Sequence, residues 1–230
     1  MTRRTESFGN SRTRRRKAQL KTILLKRDLA AVQNYATDEK AAFRTLQSLL
    51  WDSDLLVVWR SIEAIGLASK VRYAKNPEDV RELIRKLLWC MNDESGNLCW
   101  FAAEAIAEIL TQLPQLRKEF LSIWLGFLDE EPFEAGVRWG MARLLRSGRV
   151  SDDHARAMRG KIEQVRAGLD HPQAAVRGMT LLALEAIEAE LSPERRERLS
   201  GDADRLNVYN FDSGQLDLVE VRSLLPAQLA

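Results

Sequence analysis

The sequence predicts an all-α chain: an α-solenoid of about four helix pairs with a small C-terminal β-hairpin. Three observations point there. Of 230 residues 45% are hydrophobic, yet only 12 are Gly and 6 Pro, too few for a β-protein full of tight turns, and the excess lies in the helix formers Leu, Ala, Glu and Arg. One pattern recurs: a helix ends in a bulky apolar residue, an acidic turn follows, and a second helix begins. Near the C-terminus, alternation replaces helical spacing. At this length about 70% of the unfolded chain's surface can be buried, so a core needs neither metals nor disulfides.

Residues 1–13 carry Thr, Ser, Gly, Asn and Arg with almost nothing apolar, so residues 1–14 are expected to be a mobile basic arm. Helical spacing starts near Arg15, where Leu20, Ile23, Leu24 and Leu29 share a face. The first recurrence is Leu49-Leu50-Trp51-Asp52, then Val57-Val58-Trp59-Arg60, then Glu63-Ala64-Ile65-Gly66. The second is Leu87-Leu88-Trp89, then Leu98-Cys99-Trp100-Phe101, then Glu104-Ala105-Ile106-Ala107. The third is Phe127-Leu128-Asp129 with Gly136-Val137-Arg138, and the fourth Gly168-Leu169-Asp170 with Ala175-Val176-Arg177. Matching Trp59, Trp100, Val137 and Val176 gives steps of 41, 37 and 39 residues.

Within the pairs, Val80, Leu83, Ile84, Leu87, Leu88 and Met91 form one buried stripe, as do Leu116, Phe120, Ile123, Trp124 and Phe127. Second helices such as Leu55, Val58, Trp59, Ile62, Ile65 are apolar over more of their circumference, as expected between neighbours. Ala64, Gly66, Ala103 and Ala107 allow close approach. Pro77, Pro114, Pro132 and Pro193 fall between helices or in first turns. Asp54, Asn97 and Ser151 are expected N-caps. After a charged helix to about Leu199, Leu206–Phe211 and Gln215–Val221 alternate around Asp212-Ser213-Gly214. This hairpin, within residues 201–230, is expected to dock its Val208, Leu216 and Leu218 face on the last repeat, closing a solenoid that spans residues 15–200.

A helix pair repeating near 40 residues resembles HEAT-like repeats. A narrower likeness lies in Leu87–Trp100, with the turn Asn92-Asp93-Glu94-Ser95-Gly96-Asn97, and in the following Ala103-Glu104-Ala105-Ile106-Ala107-Glu108-Ile109. It is similar to an uncharacterised HEAT-repeat family of sulfate-reducing and related anaerobic bacteria. The hairpin and Val137–Gly140 share in the likeness. The resemblance implies a short HEAT array; that family has no established activity, so no functional residue carries over.

The net charge of +2 conceals an asymmetry. Residues 1–27 hold ten bases and one acid, +9; the remaining 203 hold 25 bases and 32 acids, −7. No apolar run reaches the roughly 20 residues of a membrane span, and no uncharged stretch follows the basic start as in a secretory signal. Cys90 and Cys99 read as reduced thiols of a cytoplasmic protein rather than a bridge. His154 and His171 lack zinc-finger spacing, and neither is followed by Glu as in HEAT-repeat iron hydroxylases. No phosphate loop, nucleophile elbow or Cys-His pair occurs. No catalytic residue, cofactor or metal is therefore expected.

Three constellations remain, each with two readings. The turn Asn92–Asn97 either binds a cation or a partner's basic residue, or caps helix ends. Trp51, Trp59, Trp89, Trp100, Trp124 and Trp139 either stack on a ligand or fill the core, with Trp100 the expected exposed exception. The basic segment with Arg12, Arg14, Arg15, Arg16 and Lys17 either contacts a polyanion through phosphates or is a solvated tail. The expected function is a non-enzymatic protein–protein interaction scaffold or adaptor, with Asp93, Glu94 and Trp100 contacting a protein partner. The rival is nucleic-acid binding by the basic segment, and a HEAT-like DNA glycosylase is a third reading. A shared groove of Arg138, Arg143, Arg146, Arg177 and the basic segment would favour the rival.

Overall fold

The computed structural model describes residues 3–38, 41–92 and 99–226, with side chains from Thr13 onward. Among the described residues the regular structure is helical apart from one two-stranded antiparallel sheet. Helix α1 spans Arg3–Leu25, α2 Leu29–Asp38, α3 Ala42–Leu49, α4 Leu55–Lys75, α5 Pro77–Met91 and α6 Ala102–Gln112. Then come α7 Arg117–Leu125, α8 Glu134–Arg146, α9 Asp152–Arg159, α10 Ile162–Ala167, α11 Ala174–Ile187 and α12 Pro193–Ser200. Strands β1 Arg205–Asn210 and β2 Gln215–Glu220 follow, and after them a short 3-10 turn, Val221–Leu224. Helical backbone thus begins at Arg3, well before the spacing near Arg15 that marks it in the sequence.

Helix boundaries follow local chemistry. Asp54 caps α4 by accepting from the Leu56 N–H at 3.0 Å. Asn76 caps α5 at the Glu78 N–H, with Pro77 in the first turn where no N–H is needed. Ser151 sits before α9 in extended conformation but does not cap it; its hydroxyl meets His154 Nδ1 at 2.9 Å. Asn97 lies outside the described residues.

The helices pack in two rows. In the inner row α2 touches α4, α4 touches α6, α6 touches α8 and α8 touches α11. The outer helices α3, α5, α7 and α10 lie against them, α5 bridging α4 and α6. Small residues set the spacing: a Cβ on Gly140 would come within 2.5 Å of the Ala107 Cβ and of the Trp124 ring. A Cβ on Gly66 would come within 2.7 Å of Glu108 Cγ. Ala64, Ala103 and Ala107 are fully buried as expected, and Trp124 Nε1 donates to the Ala103 carbonyl at 3.0 Å.

The hairpin is where expected in sequence, with Arg205 opposite Glu220 and Asn210 opposite Gln215. Its position in the fold extends the expectation. Leu206 packs on Gly178 of α11, but the turn at the other end reaches α1 and α4. Arg60 of α4 donates to the Gly214 carbonyl at 2.8 Å, and Arg27, just after α1, to the Asp212 carbonyl at 2.8 Å. Helices pack about 8–10 Å apart, and a six-residue strand extends about 20 Å. One strand with its turn and the long arginines therefore crosses the inner row. Leu206, Tyr209 and Val221 are buried, Val208 and Leu216 half-buried, and Leu218 is 60% exposed. Of the expected Val208–Leu216–Leu218 face, Val208 and Leu216 do pack against the core, and Leu218 turns to solvent. A two-stranded ribbon twists strongly, so residues three apart in sequence can be covered together.

Candidate functional site

Helix ends and the loops between them decide which side chains stay accessible. Trp59, Trp124 and Trp139 are core, whereas Trp51 is 49%, Trp89 67% and Trp100 65% exposed. The exposure expected for Trp100 is present, and two further tryptophans expected to pack inward do not. Trp51 falls in the turn after α3. Trp89 lies on α5 between the buried Leu87 and Met91, about 200° around the helix from either, which turns it to solvent. All three flank turns that join an outer helix to an inner one. Ile123, near the end of α7, is 53% exposed and belongs to the corresponding place in the next pair. Asp93 and Glu94 lie outside the described residues.

Between the ends of α5 and α7 is an open cleft of about 470 Å³, lined by Met91, Asn92, Ile123, Gly126, Phe127, Glu130 and Glu131. Its floor is apolar and its rim acidic. Met91 and Phe127 are buried, Glu130 and Glu131 exposed.

The basic segment enters the body at Lys17, whose Nζ donates to the Ser48 carbonyl at 2.9 Å. Lys21 pairs with Asp52 at 2.8 Å. Burial alone would raise the Asp52 carboxyl, but Lys21 and the Asp54 N–H hold it below the usual carboxylate range. Arg14 and Arg15 are exposed, Arg16 and Lys17 half-buried; the Arg12 side chain lies outside the described ones. The structure does not bring Arg138, Arg143, Arg146 and Arg177 into one open groove. Arg138 is buried and donates to the Leu128, Glu134 and Gln164 carbonyls. Arg143 binds Glu108 at 2.8 Å, Arg146 binds Glu185, and Arg177 binds Asp202 at 2.7 Å and Asp204 at 2.6 Å.

On the inner face the hairpin meets an aromatic and ionic cluster. Tyr209 stacks on Trp59 with centroids 5.8 Å apart, and Phe211 on Trp139 at 5.9 Å. The Arg143 guanidinium lies 3.8 Å from the Phe211 ring centroid, a cation–π contact. Arg27 forks onto Glu63 at 2.8 and 3.1 Å, and Tyr209 donates to the same carboxylate at 2.7 Å. Burial and the adjoining carboxylate raise the Tyr209 hydroxyl above the usual phenol range. Arg60 also donates to the Leu24 and Leu25 carbonyls, at 3.1 and 2.7 Å, at the negative end of the α1 dipole. Sequence reading missed this cluster, because its partners lie up to 185 residues apart and no local pattern marks them.

Glu131, Glu134 and His171 bring ligand atoms within 4.8 Å of one another. His171 Nδ1 accepts the Gln173 N–H at 3.1 Å, so neutral His171 carries its proton on Nε2, which points at Glu134 Oε1, 3.6 Å away. With Nδ1 engaged as an acceptor, Nε2 has no lone pair to offer a metal. Glu104 is buried against Gly136, with one oxygen lacking a hydrogen-bond partner among the described residues. Burial pushes its carboxyl up to about 8. Cys99 is buried and its thiol pushed up to about 12, mainly by burial; such thiols are poor nucleophiles. Cys90 is half-buried, and the two are not bridged.

Comparison with protein-family models, curated proteins and solved structures returned no match. Among the described residues no helix is long and apolar enough to cross a membrane.

Proposed function

We propose that this protein is a non-enzymatic interaction module of HEAT-like helix pairs, working in the cytoplasm. It binds a protein partner along the edge formed by its outer-to-inner turns. The observation that carries this reading is the exposure of Trp51, Trp89 and Trp100 at those turns. Tryptophan is enriched among residues that dominate interface energy, because it joins a large apolar surface to one N–H donor. Half to two-thirds of three such side chains is on the order of 400 Å² of aromatic surface.

The inner face, which repeat arrays use for extended partners, is occupied by the chain's own hairpin, so the turn edge is the accessible surface. Asp93 and Glu94 neighbour Trp89 and Trp100 in sequence, and would orient a basic, partly apolar segment. Nucleic-acid binding draws support from the basic segment alone, since the body arginines proposed to extend it are engaged by carboxylates or carbonyls.

The test compares affinity capture from the source cells by the wild-type protein and by a Trp51→Ser, Trp89→Ser, Trp100→Ser variant, at equal folded amounts by circular dichroism. The variant is expected to lose a protein recovered reproducibly by the wild type. Equal recovery would refute the turn edge as the binding surface.

A further inference from the structure

The cleft between the ends of α5 and α7 is built from two stretches of chain, 87–116 and 119–137, that contain no Lys or Arg. Its exposed Glu130 and Glu131 have no lysine or arginine partner among the described residues, whereas Asp129 beside them pairs with Arg138 at 3.6 Å. Met91, Phe127 and the exposed Ile123 give an apolar floor. Such a site suits a cationic segment that carries an apolar side chain.

The chain itself contains one. Residues 1–17 hold seven bases, one acid and a single aromatic, Phe8, with Arg4 and Arg12 four residues to either side. Their helix is pinned to the first pair by Lys17 on Ser48 and Lys21 on Asp52, whereas the cleft belongs to the second and third pairs. A helix rising 1.5 Å per residue delivers this segment as a stiff arm rather than as a loop that folds back. That favours the cleft of another molecule.

We propose that the basic N-terminal segment of one copy docks into the acidic α5–α7 cleft of a second copy, giving head-to-tail self-association. The contact is heterologous, so it adds copies in succession unless the rotation closes a ring. Its strength comes from charges partly exposed to solvent, so it weakens with salt.

Sedimentation velocity of the full chain over a range of concentrations tests this, at about 0.05 M and 0.5 M salt, where the Debye length falls from above ~10 Å to well below it. Self-association is expected at low salt and loss of it at high salt. Deleting residues 1–14 should abolish it. Gly126→Trp should weaken it at least about tenfold, equivalent to ~1.4 kcal/mol. A Cβ at Gly126 meets nothing within 4 Å, so the new side chain starts into open space, and circular dichroism confirms that the variant folds. Glu130→Lys should act in the same direction. A synthetic peptide of residues 1–17 should bind the 1–14 deletion but not its Gly126→Trp form. A monomer at all concentrations in low salt overturns the proposal. So does association that survives both cleft variants, or peptide binding unchanged by Gly126→Trp. None of these outcomes touches the tryptophan edge, which is tested with a different partner.

Discussion

Tyr209 in the hairpin donates its hydroxyl hydrogen to Glu63 in α4 at 2.7 Å, across 146 residues of sequence. The same carboxylate receives the Arg27 guanidinium. One acidic side chain thus links the C-terminal ribbon to both α1 and α4, beside the arginine bonds to the ribbon's turn. Hydrogen bonds to a charged group are worth about 1.5–3 kcal/mol, more than neutral ones.

Tyr209→Phe keeps the ring on Trp59 and removes only that bond. It is expected to lower unfolding free energy by about 2 kcal/mol. In a chain of this size that lowers Tm by roughly 4–8 °C. Urea denaturation read by circular dichroism and Trp fluorescence checks it; an unchanged midpoint would mean the Tyr209–Glu63 bond adds nothing to the ribbon's stacking and arginine contacts.

Glu104 makes stability depend on pH. Its folded carboxyl is raised to about 8 by burial, while the unfolded chain releases the proton near the ordinary glutamate value. Across that interval the folded state binds more protons, so stability is greatest below the unfolded value and falls as pH rises toward 8. The loss is on the order of a few kcal/mol. Glu104→Gln should flatten this slope between pH 5 and 8, measured as the change in urea midpoint. A wild-type profile that rises with pH while the variant's is flat would reverse the assigned sign.

Gly140 allows α8 to lie against α6. Gly140→Ala gains about 0.5–1 kcal/mol in helix propensity, but its Cβ would come within 2.5 Å of the Ala107 Cβ and of the Trp124 ring. Overpacking of that kind costs about 1–3 kcal/mol, so net destabilisation is expected. Gly126→Ala, with open space at its Cβ, should be neutral or slightly stabilising in the same assay.

Much of the fold is legible in the sequence. The helix pairs, the close approach at Gly66 and Ala107, the Asp54 cap and the hairpin's strands all follow from local spacing. The site is less so. Trp89 lies two residues from two core positions, and a run of apolar residues does not show which one turns outward. Trp51 sits beyond the last helical residue, where periodicity has no hold. The hairpin's destination was hidden for a different reason. Arg27, Arg60 and Glu63 look like ordinary surface charges until the chain brings Phe211–Gly214 to them.

Hydrogen–deuterium exchange of the protein, alone and with the partner recovered by affinity capture, tests the binding surface most directly. Slower exchange is expected around 50–54, 86–92 and 99–104, at the turns that carry Trp51, Trp89 and Trp100. Exchange in 205–220 should stay unchanged, because the ribbon remains on the inner face. Protection confined to α4 and α8, with faster exchange in the ribbon, would show that the partner displaces the hairpin, and would contradict binding along the tryptophan edge.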